Sequence, residues 1–126
     1  MAHFAILHHE EPVRLDPDSL EARYSELGPA GAENVVCRAM EELALRLSDL
    51  AALHRAGRLD QLARIARSMV AIAGQVGLTS FARVAGDVAR CAQSGDPIAL
   101  GATLCRLERI GDLSLTAVWD MQDPGI

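Results

Sequence analysis

Apolar residues recur along most of the chain at the three- and four-residue spacing that predicts amphipathic helices. The first such segment opens at Asp16-Pro17, an N-cap residue followed by proline at the first helical position. Gly28-Pro29 predicts its end. We therefore expect a short N-terminal helix whose apolar positions are Leu20, Tyr24 and Leu27.

Four longer helices are predicted after it, each with its own apolar stripe. They span about Glu33–Arg55, Leu59–Val76, a segment from a cap at Thr79 or Ser80 to Gly95, and a segment opened by Asp96-Pro97. Gly111-Asp112 is expected to kink or interrupt the last helix. The stripe residues expected in the core are Val36, Met40, Leu43, Leu47, Leu50, Leu62, Ile65, Met69, Ile72, Val76, Leu78, Phe81, Ala85, Val88, Ala92, Leu100, Leu104 and Leu107.

The connections between the long helices are only a few residues long, and short links make neighbouring helices antiparallel. The predicted fold is therefore all-α, an antiparallel up-down-up-down four-helix bundle with a short extra N-terminal helix. Residues 1–15 show no clear period and are expected to form an extended lead-in. Residues 16–126 are expected to form one domain, which is an ordinary size for a single core.

Composition narrows the possible functions. The formal net charge is −5 without a basic stripe, so we expect no nucleic-acid binding. All twelve basic residues are arginine, which excludes a lysine nucleophile, a lysine base and a P-loop lysine. No pair of acids and no serine has the neighbours that catalysis requires. We therefore expect a protein that is not an enzyme and that uses no cofactor.

Cysteine and histidine usage argues against disulfides and metal sites. Cys37, Cys91 and Cys105 are odd in number and widely spaced, which favours small core residues in a reducing compartment over disulfides or zinc ligands. The adjacent residues His8-His9-Glu10-Glu11 are not expected to converge on one metal ion. Residues 1–11 lack the basic start and apolar middle of a signal peptide, and no apolar run is long enough to span a bilayer. The expected location is the cytoplasm, away from membranes.

The helix predicted at residues 59–76 has an unusual outward face. Opposite its stripe we expect small or apolar residues around two arginines, whereas a solvated face is usually long, charged and mixed. A glycine inside a helix costs about 1 kcal/mol relative to alanine, so Gly74 calls for an explanation. One is the close approach of another surface, and the other is an Ala-rich helix in an Ala-rich protein, with Gly74 merely near the helix end. The residues expected on this face are Asp60, Ala63, Arg64, Arg67, Val70, Ala71 and Gly74.

The segment from Ala66 to Leu78 resembles the signature of histidine-containing phosphotransfer (HPt) domains. That signature is a helix carrying Ala-His, with Lys-Gly three and four places after the His. A small-residue segment and an apolar-Gly pair follow. Ala66, Gly74, Val76 and Gly77 match it, and the resemblance extends over roughly residues 34–110. It implies the same antiparallel helical bundle that the periodicity predicts.

The departures from that signature are as informative as the matches. Arg67 stands where the family has its phosphorylated His, Val70 where it has Lys, and Ala71 where it has the Gly that lets a partner approach. Arginine cannot form a phosphoimidazole, so the resemblance implies a degenerate HPt domain that does not relay phosphate. It also implies docking to a response-regulator receiver domain or a histidine kinase, since the acidic receiver site would face the cation of Arg67. The docking residues expected by resemblance are Ala63, Arg64, Arg67, Ser68, Val70, Ala71, Gly74 and Gln75.

Two other functions stay open from the sequence. The small-residue face could pack against its own copy, which would make the chain a self-associating helical scaffold, a homodimer for example, unrelated to phosphorelay. His54, near the end of the second predicted helix, is a conceivable displaced phosphoacceptor.

Overall fold

A computed structural model describes residues 17–122, with the side chains at 30–114 and at positions 18, 28 and 116. It contains four helices, which are α1 (Pro17–Ala56), α2 (Leu59–Gln75), α3 (Thr79–Ser94) and α4 (Pro97–Gln122). The predicted all-α four-helix bundle is confirmed. The expected lead-in over residues 1–15, with its His8-His9-Glu10-Glu11 cluster, lies outside the described residues, as do the side chains of Leu20, Tyr24 and Leu27.

The predicted end of the first helix coincides with a local break in α1. Gly28 has φ 76° and ψ 165°, a backbone conformation that L-residues with side chains rarely adopt. Helical structure then resumes at once, although the sequence predicted a new helix only from about Glu33. Pro29 explains the early restart, because its fixed φ suits the first turn of a helix. The short helix is therefore the first part of α1.

The N-termini of α3 and α4 differ in how they are capped. Asp96 Oδ1 accepts the backbone N–H groups of Ile98 and Ala99 at 3.1 Å each, which confirms the predicted cap of α4. The predicted cap of α3 at Thr79 or Ser80 is wrong, because the N-cap residue is Leu78 and no side chain caps it. Leu78 is buried in the core, so α3 begins at an apolar residue and not at a polar cap.

Most of the predicted stripe residues form one buried core, with corrections on α1 and α2. Leu47, Ile65 and Ile72 are half-buried. On α2 the buried line runs instead through small residues, because alanine lets neighbouring helices approach closely. The fully buried residues of α2 are Leu62, Ala63, Ala66, Met69 and Ala73.

Each helix packs on the next along the chain, and α1 also contacts α4. Gly111, expected to interrupt α4, instead lies inside a continuous helix at its contact with α1. A Cβ added there would lie 2.9 Å from Leu47 Cδ1 and 3.3 Å from Phe81 Cε2. Gly111 therefore serves a close approach of three helices, and that approach closes the bundle.

Candidate functional site

The outward face of α2 carries the predicted site residues that the structure leaves exposed. Arg64, Arg67, Ala71 and Gly74 follow one another at steps of three and four, so they share one side of the helix. All four residues are exposed, as is Gln75 beside them. Asp60, also exposed, precedes Arg64 by four residues, so the face begins with one carboxylate, continues with two guanidinium groups and ends in small residues.

Three residues predicted on this face lie elsewhere on α2. Ala63 is 2% exposed and belongs to the core, so its predicted place in a docking surface is wrong. Val70 is half-buried where α2 meets α3. Ser68 is half-buried towards α1, and its Oγ accepts the Arg46 Nε–H at 3.0 Å and donates to the Ile65 carbonyl. The displacement follows from the buried alanine line, which turns the exposed face away from Ala63.

The two arginines of this face have no direct charged partner among the described residues, although Asp49 lines the same cleft as Arg64. Neither Arg64 nor Arg67 forms an ion pair or hydrogen bond with any described residue, although other arginines of the bundle do. Arg46 lies 3.6 Å from the Glu42 carboxylate, and Arg90 pairs with Asp87. Guanidinium groups stay protonated at any physiological pH. The face therefore carries a permanent positive charge that is free to bind a carboxylate or phosphate.

Gly74 is not required by the packing within the chain. A Cβ added there would meet nothing within 4 Å, and Gly74 is not among the glycines with positive φ. Replacing alanine by glycine inside a helix costs about 1 kcal/mol. Gly74 is the penultimate residue of α2, so its cost there is smaller than in the helix interior, and it leaves the surface beyond Arg67 without a side chain.

A cleft between α1 and α2 adjoins this face. Its volume is about 550 Å³, and a second depression of about 530 Å³ at the start of α2 shares Gln61 and Arg64 with it. Leu53 and Ile65 give the cleft an apolar part, and Asp49 and Arg64 add opposite charges. The lining residues are Asp49, Ala52, Leu53, Gln61, Arg64 and Ile65. Sequence reasoning missed the cleft because its two walls come from different helices.

The other candidates from the sequence do not join the site. His54 is exposed at the end of α1, on a different helix from Arg67. Cys37 and Cys91 are half-buried and Cys105 is exposed, so the prediction that all three are core residues is wrong. Within residues 17–122, no three His, Cys, Asp or Glu side chains are grouped as a metal site would require. None of the described helices has the length and apolar character needed to cross a membrane.

Comparisons with protein-family models, with curated proteins and with solved structures found no match to this chain.

Proposed function

We propose that this chain is a non-catalytic, HPt-like signalling module of a two-component phosphorelay. It binds a receiver domain or a histidine kinase through the exposed face around Arg67 and does not relay phosphate. The observation that supports this most is Arg67 itself. It is exposed and unpaired among the described residues of a helical bundle, at the position where the resemblance to HPt domains expects the phosphoacceptor.

The chemistry of arginine favours docking over transfer. A guanidinium has five N–H donors in a planar fork that matches carboxylates and phosphates, and its permanent protonation makes it a poor nucleophile. Against the acidic site of a receiver domain, Arg67 and Arg64 would form charge-assisted hydrogen bonds. Gly74 and Ala71 would let the partner's backbone come close. The expected result is a complex in which the chain occupies the receiver site and no phosphoryl group is transferred.

Direct binding tests this function. Each receiver domain and kinase core encoded by the source genome is purified, and its binding to the immobilised chain is followed by biolayer interferometry with Mg²⁺ present. We compare wild type, Arg67→Glu and Arg109→Glu, since Arg109 is an equally exposed arginine on α4. We expect at least one partner to bind wild type, and Arg67→Glu to weaken it by about tenfold or more relative to Arg109→Glu.

The result against the proposal would be no binding, or an equal effect of the two substitutions. Both variants should remain folded, because exposed substitutions usually change stability by no more than about 0.5 kcal/mol, and far-UV circular dichroism checks this. The alternative, a self-associating scaffold, is tested by analytical ultracentrifugation of the chain without a partner. It predicts that wild type sediments as a dimer and Arg67→Glu as a monomer.

Phosphoryl transfer is tested separately. The chain is incubated with radiolabelled, phosphorylated receiver domain, and we expect it to stay unlabelled. Labelling of wild type that disappears in His54→Ala would instead make His54 a displaced phosphoacceptor and would contradict the absence of relay.

A further inference from the structure

The α2–α3 hairpin is the positively charged part of an acidic protein. Residues 59–94 carry four arginines and two aspartates, a formal charge of +2, whereas the whole chain carries −5. The remaining residues therefore carry −7. All four of these arginine side chains are exposed, so the charge separation is available to an approaching molecule and steers its encounter.

α2 and α3 pack against each other, and the outward seam between them is called the groove below. A Cβ added to Gly86 would lie 3.9 Å from Val70 Cγ2 and 3.7 Å from Arg90 Nη1, which are ordinary contact distances. Neither Gly86 nor Gly74 is therefore required by packing within the chain, and neither has a positive φ. Both lower helix stability relative to alanine. Gly74 lies one turn after Val70 on α2, so both glycines border the groove and neither adds a side chain to it.

Arginines border this groove on both helices. Val70 faces Gly86 across the antiparallel pair, which places Arg67 and Arg90, each one turn away, towards the same end of the groove. Arg83, one turn before Gly86, lies towards the other end, and it pairs with no described residue. Arg90 pairs with Asp87, whose carboxylate also lies 3.9 Å from Arg106 Nη1. Asp87 therefore lies between guanidinium groups of α3 and α4.

We infer that the docking surface is this two-helix groove, and that its occupant is an acidic surface of another protein. Carboxylates of the partner bind Arg67 and Arg64 on α2 and Arg83 on α3, and its backbone passes over Gly74 and Gly86. Charge complementarity selects this occupant, because the groove presents unpaired guanidinium groups on both sides of a low floor. The inference rests on the proposed function for the role of Arg67. It adds α3, which the sequence analysis did not single out.

The test uses poly-L-glutamate as a defined acidic probe, with poly-L-lysine as the control polymer. The full-length, ¹⁵N-labelled chain is titrated at low salt, and amide shifts and apparent affinity are followed by NMR. We compare wild type with Arg67→Glu, Arg83→Glu and Arg109→Glu, which all change the net charge equally. We expect shifts along both sides of the groove. Arg67→Glu and Arg83→Glu should each weaken binding about fivefold or more relative to Arg109→Glu, an effect that salt reduces.

Each outcome separates this inference from the proposed function. If Arg83→Glu behaves like Arg109→Glu while Arg67→Glu still weakens binding, the two-helix groove is wrong and the face on α2 survives. If neither Arg67→Glu nor Arg83→Glu differs from Arg109→Glu, the two-helix groove and the docking face on α2 are both wrong. If Arg67→Glu and Arg83→Glu both weaken binding of poly-L-glutamate, but no receiver domain or kinase binds the wild-type chain, the groove is supported and the phosphorelay function is wrong. Self-association of wild type that Arg83→Glu abolishes would identify a second copy as the occupant and overturn the commitment to another protein.

Discussion

Two glycines in α4 provide a matched test of how the bundle is closed. Gly101 and Gly111 both lie inside α4 (Pro97–Gln122), and both are replaced by alanine. At Gly101 nothing lies within 4 Å of the added Cβ. Alanine should therefore stabilise the fold there by about 0.5–1 kcal/mol through helix propensity alone.

At Gly111 the same methyl group meets two helices. It would lie 2.9 Å from Leu47 Cδ1, the end of a half-buried side chain that can rotate, and 3.3 Å from the ring of the buried Phe81. Overpacking of a core costs about 1–3 kcal/mol, which at least offsets a propensity gain of about 1 kcal/mol. We expect Gly111→Ala to be no more stable than wild type, and less stable than Gly101→Ala by about 1–3 kcal/mol.

Urea unfolding followed by far-UV circular dichroism measures these differences, provided that the slope of the transition is unchanged. Adding Leu47→Ala to each glycine variant completes a double-mutant cycle, in which the clash predicts coupling with Gly111→Ala and none with Gly101→Ala. Equal stabilisation by both alanines, without coupling to Leu47, would refute the close approach of α1 to α4 at this point.

Three further substitutions test individual features of the fold by the same unfolding measurement. Asp96→Ala removes the cap of α4 and should cost about 1 kcal/mol, whereas Asp96→Asn should retain most of it; equal effects would argue against a cap. Gly77→Ala places a side chain at φ 77° and should cost about 1–2 kcal/mol, and no loss would contradict that backbone conformation. Ala63→Glu buries an unpaired carboxylate and should cost at least about 2 kcal/mol, whereas Ala71→Glu on the exposed face should stay within about 0.5 kcal/mol. Similar results for the two glutamates would mean that Ala63 is not in the core.

The parts of the fold that the sequence predicted are those where residue type leaves one environment open. Leu43, Leu62 and Phe81 are large and apolar, so their spacing identified the core directly. Asp96-Pro97 has one favourable place, at a helix start, and the cap is there. Alanine is compatible with core and surface alike, which is why the periodicity of α2 left Ala63 on the wrong side.

Glycine is ambiguous for a related reason. Gly111 inside a helix is equally typical of an interruption and of a close contact, and only the position of Leu47 on another helix decides between them. Of the predicted site, Arg64, Arg67, Ala71 and Gly74 lie on the exposed face as expected. The cleft beside α1 and the groove beside α3 depend on the register between helices, which single-helix patterns do not contain.

Gly74 and Gly86 link the stability of the fold to its proposed docking. Each can be replaced by alanine without a short contact, so Gly86→Ala, in the middle of α3, should stabilise the chain by about 0.5–1 kcal/mol, and Gly74→Ala, next to the end of α2, by a smaller amount. The double variant, whose positions lie on different helices, should then be more stable than wild type by roughly the sum of the two effects.

The added methyl groups also raise the floor of the groove, so binding of the acidic partner or probe should weaken while all arginines remain. Such opposite changes are expected where a site retains residues that lower stability for the sake of function. The gain in stability is measured by the unfolding midpoint, and the loss of binding by the probe titration, on the same preparation. A variant that is more stable but binds the probe as well as wild type would show that binding by the arginines does not depend on the two glycines.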